Sequence, residues 1–512
     1  MMRLSTRPGR ALRITLLSAA AVLVAGYIGQ LAAAASGVFD QIDLLVDVRH
    51  EIVSQYVEEP PSQKMVESAV RGMVESLDDP YTVYLSPQEL EPFDKAVRGT
   101  FSGIGAEVDI HQDRLRIISP LEDSPAWKAG LMAGDIVLEI DGQSTEGLKI
   151  TECIQKLTGE EGTDVTVRVR HESGEEATYT ITRARINIQT VRGFRRDAAG
   201  QWDFMLDDAQ KVGYVRITQF TDSTAENVAA AVKKLVDQQA AAIILDVRFN
   251  PGGLLESAIE VSDLFLPEGK TIVSVKGRTV PEQVTKATAG GIAEDTPLIV
   301  IANDASASAA EIVTGALADN DRATFIGTRT FGKGSVQQVR MLDEARGAIK
   351  ITNAYYYLPS GRNIHRKPDA SVWGVDPKDG FYVPMDIEAV RKMLQARRAG
   401  EVLRAPGNGE PAADGNAPAA DADPAVTPQW IDEKLADPQL SAALRAALDR
   451  IQTGDWHAVG EGSAAELTKL AERQKLTLQR DLLRDRLDEI EAQLAKAGGA
   501  VGDEAGENKE QE

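Results

Sequence analysis

The chain has a single cysteine, Cys153, in 512 residues. It can therefore close no intrachain disulfide and build no cysteine-based metal cluster; a buried, inert thiol is expected. Histidine is scarce as well, with only His50, His111, His171, His365 and His457. No HExxH spacing or histidine-rich tract occurs, so neither a metal nor another cofactor is expected. Positive charge is in deficit, 56 Lys and Arg against 78 Asp and Glu, for a net charge of −22. That balance argues against nucleic acid as a partner and against anionic lipid binding through the folded body. No GxxxxGK[ST] spacing surrounds Lys333, which excludes a phosphate-cradling loop. Apolar residues are not lacking, at 43% of a chain too long for one domain.

The most informative stretch runs from Pro297 to Val339, PLIVIANDASASAAEIVTGALADNDRATFIGTRTFGKGSVQQV. Leu298 to Ala302 reads as a buried strand, and Ala309 to Ala318 continues with helical periodicity. Ser308 stands at the junction, beside free backbone N–H groups and the positive end of the helix dipole. A hydroxyl nucleophile needs such donors to hold the oxyanion its attack creates. Ser306 reads as the N-cap of this helix. Lys333, between Gly332 and Gly334, supplies a base if burial leaves its amine neutral near physiological pH. A Ser/His/Asp arrangement stays open as the rival, with His365 the one histidine inside the relevant segment.

These residues, together with DVRFNPGG at Asp246 to Gly253, resemble the carboxyl-terminal processing peptidases, Ser/Lys endopeptidases with an embedded PDZ domain. The resemblance runs from about Val38 to Pro384 and meets several motifs in the family's order. It implies Ser308 as nucleophile, Lys333 as general base and Gln337 as the residue that holds the lysine. It implies an oxyanion hole from the Ala309 amide and a glycine amide at Gly252 or Gly253, with Glu311 a supporting acid in the same helix. AAE after Ser308, where many relatives carry ASE, leaves that chemistry intact. The implied fold is α/β and multidomain: a ββα-spiral body akin to crotonase and Clp protease, with an inserted PDZ domain, a helical N-terminal region and a helical C-terminal extension.

Seven segments are expected. Residues 1–37 carry Arg3, Arg7, Arg10 and Arg13 ahead of a charge-free run from Ile14 to Phe39, long enough to span a bilayer. They read as a signal peptide or a retained membrane anchor, with the anchor favoured over cleavage after Ala33-Ala34-Ala35. The body would then lie at the periplasmic face of the inner membrane, or free in the periplasm. Residues 38–98 are helical, a structural cap or the surface of a homodimer. Residues 99–185 read as the PDZ domain, whose Gly103-Ile104-Gly105 loop can aim N–H groups at a peptide carboxylate while the peptide adds as a strand. Arg183 and Arg185 close this module, as sensors of the bound terminus or as solvated linker charge. Residues 186–384 are the Ser/Lys body, 385–428 a flexible linker, 429–497 a helical C-terminal region, and 498–512 a disordered tail.

The function implied is a serine endopeptidase that cleaves exported proteins near free, apolar C-termini. Its PDZ domain would gate the site or tether the substrate. A catalytically idle PDZ scaffold that hands C-termini to another protease is the alternative.

Overall fold

A computed structural model describes residues 42–401 except 122, 172, 198–199, 344–345 and 368–369, then residues 426–460 and scattered helical positions from 469 to 491. The expected export segment and tail lie outside the described residues. The chain divides into two compact units, residues up to Pro87 with Val339–Ile351, and the remainder.

In the first unit, residues 42–55 are helical and exposed. Helix α1 (Ser62–Glu75) follows, then β1 (Val83–Leu85), which pairs antiparallel with Ala348–Lys350. Tyr84 Oη donates to the Arg346 carbonyl at 2.8 Å.

The second unit begins within α2 (Pro87–Arg98) and continues with a PDZ domain. Its β2 (Thr100–Gly103) pairs with the strand that closes the domain, Ala184–Asn187. Between them lie β3 (Ala106–His111), β4 (Arg114–Pro120), α3 (Pro125–Ala129), β5 (Ile136–Ile140), α4 (Ile150–Leu157), β6 (Asp164–Arg170) and β7 (Glu176–Thr182). The sheet order is β3-β4-β5-β6-β7, which leaves β3 at an edge. Alternating residues such as Leu115, Ile117, Val165, Val167 and Val169 turn inward with Cys153 to form its core. Burial pushes the Cys153 thiol up, as an inert role requires.

The body is built on β8 (Val212–Ile217), β9 (Ala242–Asp246), β10 (Leu298–Ala302) and β11 (Ala323–Gly327), paired in parallel in that order. The first three are buried along their whole length, because a parallel sheet is covered on both faces. Ile243, Leu245, Leu298 and Val300 face one core with α5 (Thr224–Asp237), α6 (Leu255–Asp263) and α7 (Ala309–Asp319). Their alternates Ile244, Ile299 and Ile301 face a second core, filled by Ile431, Leu440, Leu444 and the alanines between. These belong to the segment around α9 (Pro438–Thr453). Helix α9 is thus the second cover of the central sheet.

Two expectations are corrected. Residues 387–401, placed in a flexible linker, form helix α8 (Ile387–Glu401), anchored by Glu401 pairing with Arg192 and Arg216. The N-cap of α7 is Ser308, not Ser306; the Ser306 hydroxyl is buried and donates to the Val247 carbonyl at 2.8 Å.

Candidate active site

The site grows from the C-terminal ends of β9 and β10, where two loops are laced together. Ser306 Oγ accepts the Asn303 N–H at 2.9 Å, and Asn303 Oδ1 accepts the Phe249 N–H at 3.0 Å. The Ala307 N–H donates to the Asn250 carbonyl at 2.9 Å. The chain then makes a sharp turn at Ser308, with φ 55° and ψ −115°. A non-glycine residue held at positive φ costs roughly 1–3 kcal/mol and persists only where its surroundings impose it.

Glu311 imposes it. Its fully buried carboxylate accepts the Ser308 N–H at 2.9 Å and the Lys333 N–H at 2.8 Å on the same oxygen, Oε2. Oε1 accepts the Gly332 N–H at 2.7 Å and the Thr330 hydroxyl at 2.6 Å. One carboxylate therefore holds the serine and lysine backbones within two hydrogen-bond lengths of each other. Burial pushes its carboxyl up to about 7 against the pull of these four donors. The lysine turn is fixed from other sides too: Tyr356 Oη donates to the Lys333 carbonyl, and the Arg366 N–H to the Gly332 carbonyl at 2.8 Å.

Gly252 has φ 99°, and a Cβ there would lie 2.7 Å from that of Ser308 and 3.0 Å from the Ala309 nitrogen. Only glycine allows this approach. Its N–H is already taken, by Asn250 Oδ1 at 2.8 Å. The Gly253 and Ala309 N–H groups have no acceptor among the described residues; Ala309 follows Ser308 directly, and Gly253 lies against Phe220. Gln337 Nε2 donates to Ser335 Oγ at 2.9 Å and Thr352 Oγ1 at 3.2 Å. His365, the rival base, lines the same turn: a Cβ on Gly334 would meet its nitrogen at 2.7 Å. Its ring packs against Tyr355 at 5.0 Å.

In the PDZ domain the carbonyls of Ile104 and Gly105 accept the Ala126 and Leu121 N–H groups at 2.7 and 2.9 Å. The amides of Ile104 and Gly105 have no acceptor among the described residues. Gly103 bridges to Thr158, just past α4. Arg183 is no solvated linker charge. It donates to the carbonyls of Lys156 (2.7 Å), Leu157 (3.3 Å) and Asp164 (3.0 Å), capping α4. Arg185 lies opposite Ser102 in the strand pair.

A charged node beneath the glycine loop escaped the sequence reading. Arg248 is fully buried and forks onto Asp246 (2.6 Å) and onto Asp437 (2.6 and 2.8 Å), the N-cap of α9. Tyr214 Oη donates to Asp246 at 2.7 Å. Burial alone would raise the Asp246 carboxyl, but Arg248 and Arg397 hold it well below the usual range. An acid and an arginine closing an apolar strand, in DVRFNPGG, were the available signal.

Fold and site define a serine-type peptidase with an embedded PDZ domain. Residues 211–378 match the model of peptidase family S41, 116–171 that of a PDZ domain, and 29–88 that of the activating protease CtpB N-terminal domain. A carboxy-terminal-processing protease of Bartonella bacilliformis is 37% identical over 64% of this chain and 73% of its own. The carboxy-terminal processing protease CtpA of Bacillus subtilis is 33% identical over 64% of this chain and 67% of its own. The solved structure of a photosystem II D1 C-terminal processing protease aligns at 27% identity and TM-score 0.39, over 70% of this chain and 96% of that one. The chain belongs to the carboxy-terminal processing proteases of peptidase family S41.

Proposed function

We propose that this protein hydrolyses peptide bonds through a Ser308–Lys333 dyad and selects substrates by their free C-terminus. The observation that carries the reading is the Glu311 carboxylate, which joins the Ser308 and Lys333 backbones through one oxygen. Ser308 Oγ attacks the scissile carbonyl carbon while the neutral Lys333 amine takes its proton. The Ala309 and Gly253 N–H groups receive the oxyanion. Lys333 then passes the proton to the departing amine, leaving an acyl-serine. Water attacks that ester, again losing a proton to Lys333, and Ser308 is regenerated. Gln337, on the strand after the lysine turn, steadies the turn through Ser335 and Thr352.

The substrate's C-terminal carboxylate docks on the Ile104 and Gly105 N–H groups, and its preceding residues extend the sheet along the edge of β3. The basic and apolar pattern of residues 1–39 supports export, with the body anchored at the periplasmic face or free in the periplasm. Helical residues 42–55 and α1 offer exposed apolar side chains to a second copy.

The deciding experiment is labelling of the purified protein by a serine-directed fluorophosphonate, beside Ser308→Ala. Labelling and peptide cleavage should both vanish in the variant. Cleavage that survives Ser308→Ala would refute the nucleophile. Equal reaction of both proteins with the label would refute it as well.

A further inference from the structure

Against the lysine turn lies a second segment, Trp373-Gly374-Val375-Asp376, whose residues meet the turn one after another. The Asp376 carboxylate accepts a forked pair of bonds from Arg329 at 2.6 and 3.0 Å. The Val375 carbonyl accepts the Thr330 N–H at 3.0 Å, and the Val375 N–H donates to Thr330 Oγ1 at 2.7 Å. Trp373 then comes up against Gly332, where an added Cβ would lie 2.6 Å from the indole Cδ1. The indole is itself pinned. It is 8% exposed, and the guanidinium carbons of Arg329 and Arg366 stand over it at 4.5 and 4.4 Å from the ring centre. Cations held over an aromatic face are attracted by its quadrupole, and more strongly when desolvated.

Gly332 has φ 91° and no side chain of its own to resist rotation. The hold on it must come from its neighbours. Glu311 takes its N–H at 2.7 Å, the Arg366 N–H takes its carbonyl at 2.8 Å, and the indole occupies the space beside its Cα. The next residue is Lys333, whose own N–H donates to Glu311 at 2.8 Å. Rotation about Gly332 would carry that N–H off the carboxylate and the lysine away from Ser308.

We propose that Trp373 is a positioning residue for peptide hydrolysis: pinned by Arg329 and Arg366, it blocks rotation about Gly332 and keeps Lys333 where Glu311 joins it to Ser308. This role rests on the Ser308–Lys333 reading above.

Hydrogen exchange by mass spectrometry on the full chain, with kcat and KM on a free-acid peptide, tests it in Trp373→Leu, Trp373→Phe and Arg366→Ala. Leucine offers the guanidiniums no aromatic face. In Trp373→Leu the fragment carrying the Gly332 and Lys333 amides should exchange about tenfold faster, and kcat should fall about tenfold or more at unchanged KM. The amides of β9 and β10 should keep their parental exchange, which separates a released turn from a loosened body. Phenylalanine keeps a flat face and should restore most of both effects. Arg366 is exposed, so Arg366→Ala removes one cation from the ring with the fold left standing, and should quicken the same exchange about threefold. Parental exchange at Gly332 and Lys333 in Arg366→Ala would overturn the proposal whether or not Trp373→Leu folds. So would a parental kcat in a folded Trp373→Leu, or a Trp373→Phe as impaired as the leucine variant. Cleavage by Lys333→Ala at the parental rate would instead overturn the dyad and this role with it, an outcome distinct from parental exchange, which overturns the role alone.

Discussion

Replacing Glu311 by glutamine asks whether one buried carboxylate assembles the site. All four of its partners are donors. Three are backbone amides, and the Thr330 hydroxyl is turned toward Glu311 because its own oxygen accepts the Val375 N–H at 2.7 Å. Glutamine keeps one acceptor oxygen and presents an NH2 to the other pair of donors. Two buried donors then lose their acceptor, at about 1–3 kcal/mol each. Removing the charge returns little at neutral pH, because a group with a pKa near 7 is as stable protonated as ionised there. A loss of about 2–6 kcal/mol in a body of this size lowers its melting temperature by roughly 5–20 °C. The Ser308 and Lys333 turns also separate, and a displacement of about 1 Å is enough to lose on the order of 100-fold in turnover. Calorimetry of the body transition and kcat on a free-acid peptide read the two effects. Wild-type values of both in Glu311→Gln would refute the reasoning. The pH dependence gives an independent sign. The folded carboxyl titrates near 7 instead of its ordinary 4.5, so the folded state holds the extra proton between those values. Stability is therefore greatest below the lower value and falls by roughly 3 kcal/mol as pH rises through 7. Turnover moves the other way, since the ionised form accepts all four bonds. The stability slope should disappear in Glu311→Gln.

Three further outcomes are expected. Lys333→Arg should abolish turnover while leaving the fold intact, because a guanidinium cannot give up its proton to serve as base; peptidase activity in the purified variant would instead move His365 into that role. Amidating the C-terminus of a model substrate should raise KM much more than it lowers kcat if the Ile104 and Gly105 amides hold the carboxylate, and identical cleavage of acid and amide would remove the PDZ domain from selection. Asp437→Ala removes one of the two carboxylates that hold the buried Arg248, leaving Asp246, and should lower the melting temperature of the body, measured by calorimetry. A variant as stable as the parent would show that the Asp437 pair does not anchor α9.

The candidate chemistry-bearing residues stand out in the sequence because their types and spacing are local. Ser308 before an apolar helix, Lys333 between glycines and the NPGG turn all announce themselves within a few residues. Strand and helix periodicity likewise placed most of the central sheet. What stayed hidden was long-range backbone bonding. Nothing in AAE says that Glu311 reaches Gly332 and Lys333, and nothing in NPGG says that Asn250 consumes the Gly252 amide. The role of α9 was missed for a related reason. Its inward face is alanine between Leu440 and Leu444, a weak apolar signal, and the sheet face it covers lies almost 140 positions away, at Ile299 and Ile301.

The same strand end that carries the glycine loop also carries the charge that binds α9. Asp246 closes β9, Arg248 follows two residues later, and Asn250 begins the glycine turn. Arg248 is tied to α9 through Asp437, while the Asn250 carbonyl and side chain hold the Ala307 and Gly252 amides. Breaking the Arg248 pair would therefore loosen the loop whose close approach keeps Ser308 at positive φ. A positive-φ serine is costly in isolation, so losing that approach leaves the Glu311 bond to hold it alone. The hold on Ser308 thus draws in part on a helix that begins more than 120 residues after it. In Asp437→Ala the fluorophosphonate reaction of Ser308 should slow below the temperature at which the body unfolds, which separates loss of the poised serine from loss of the fold.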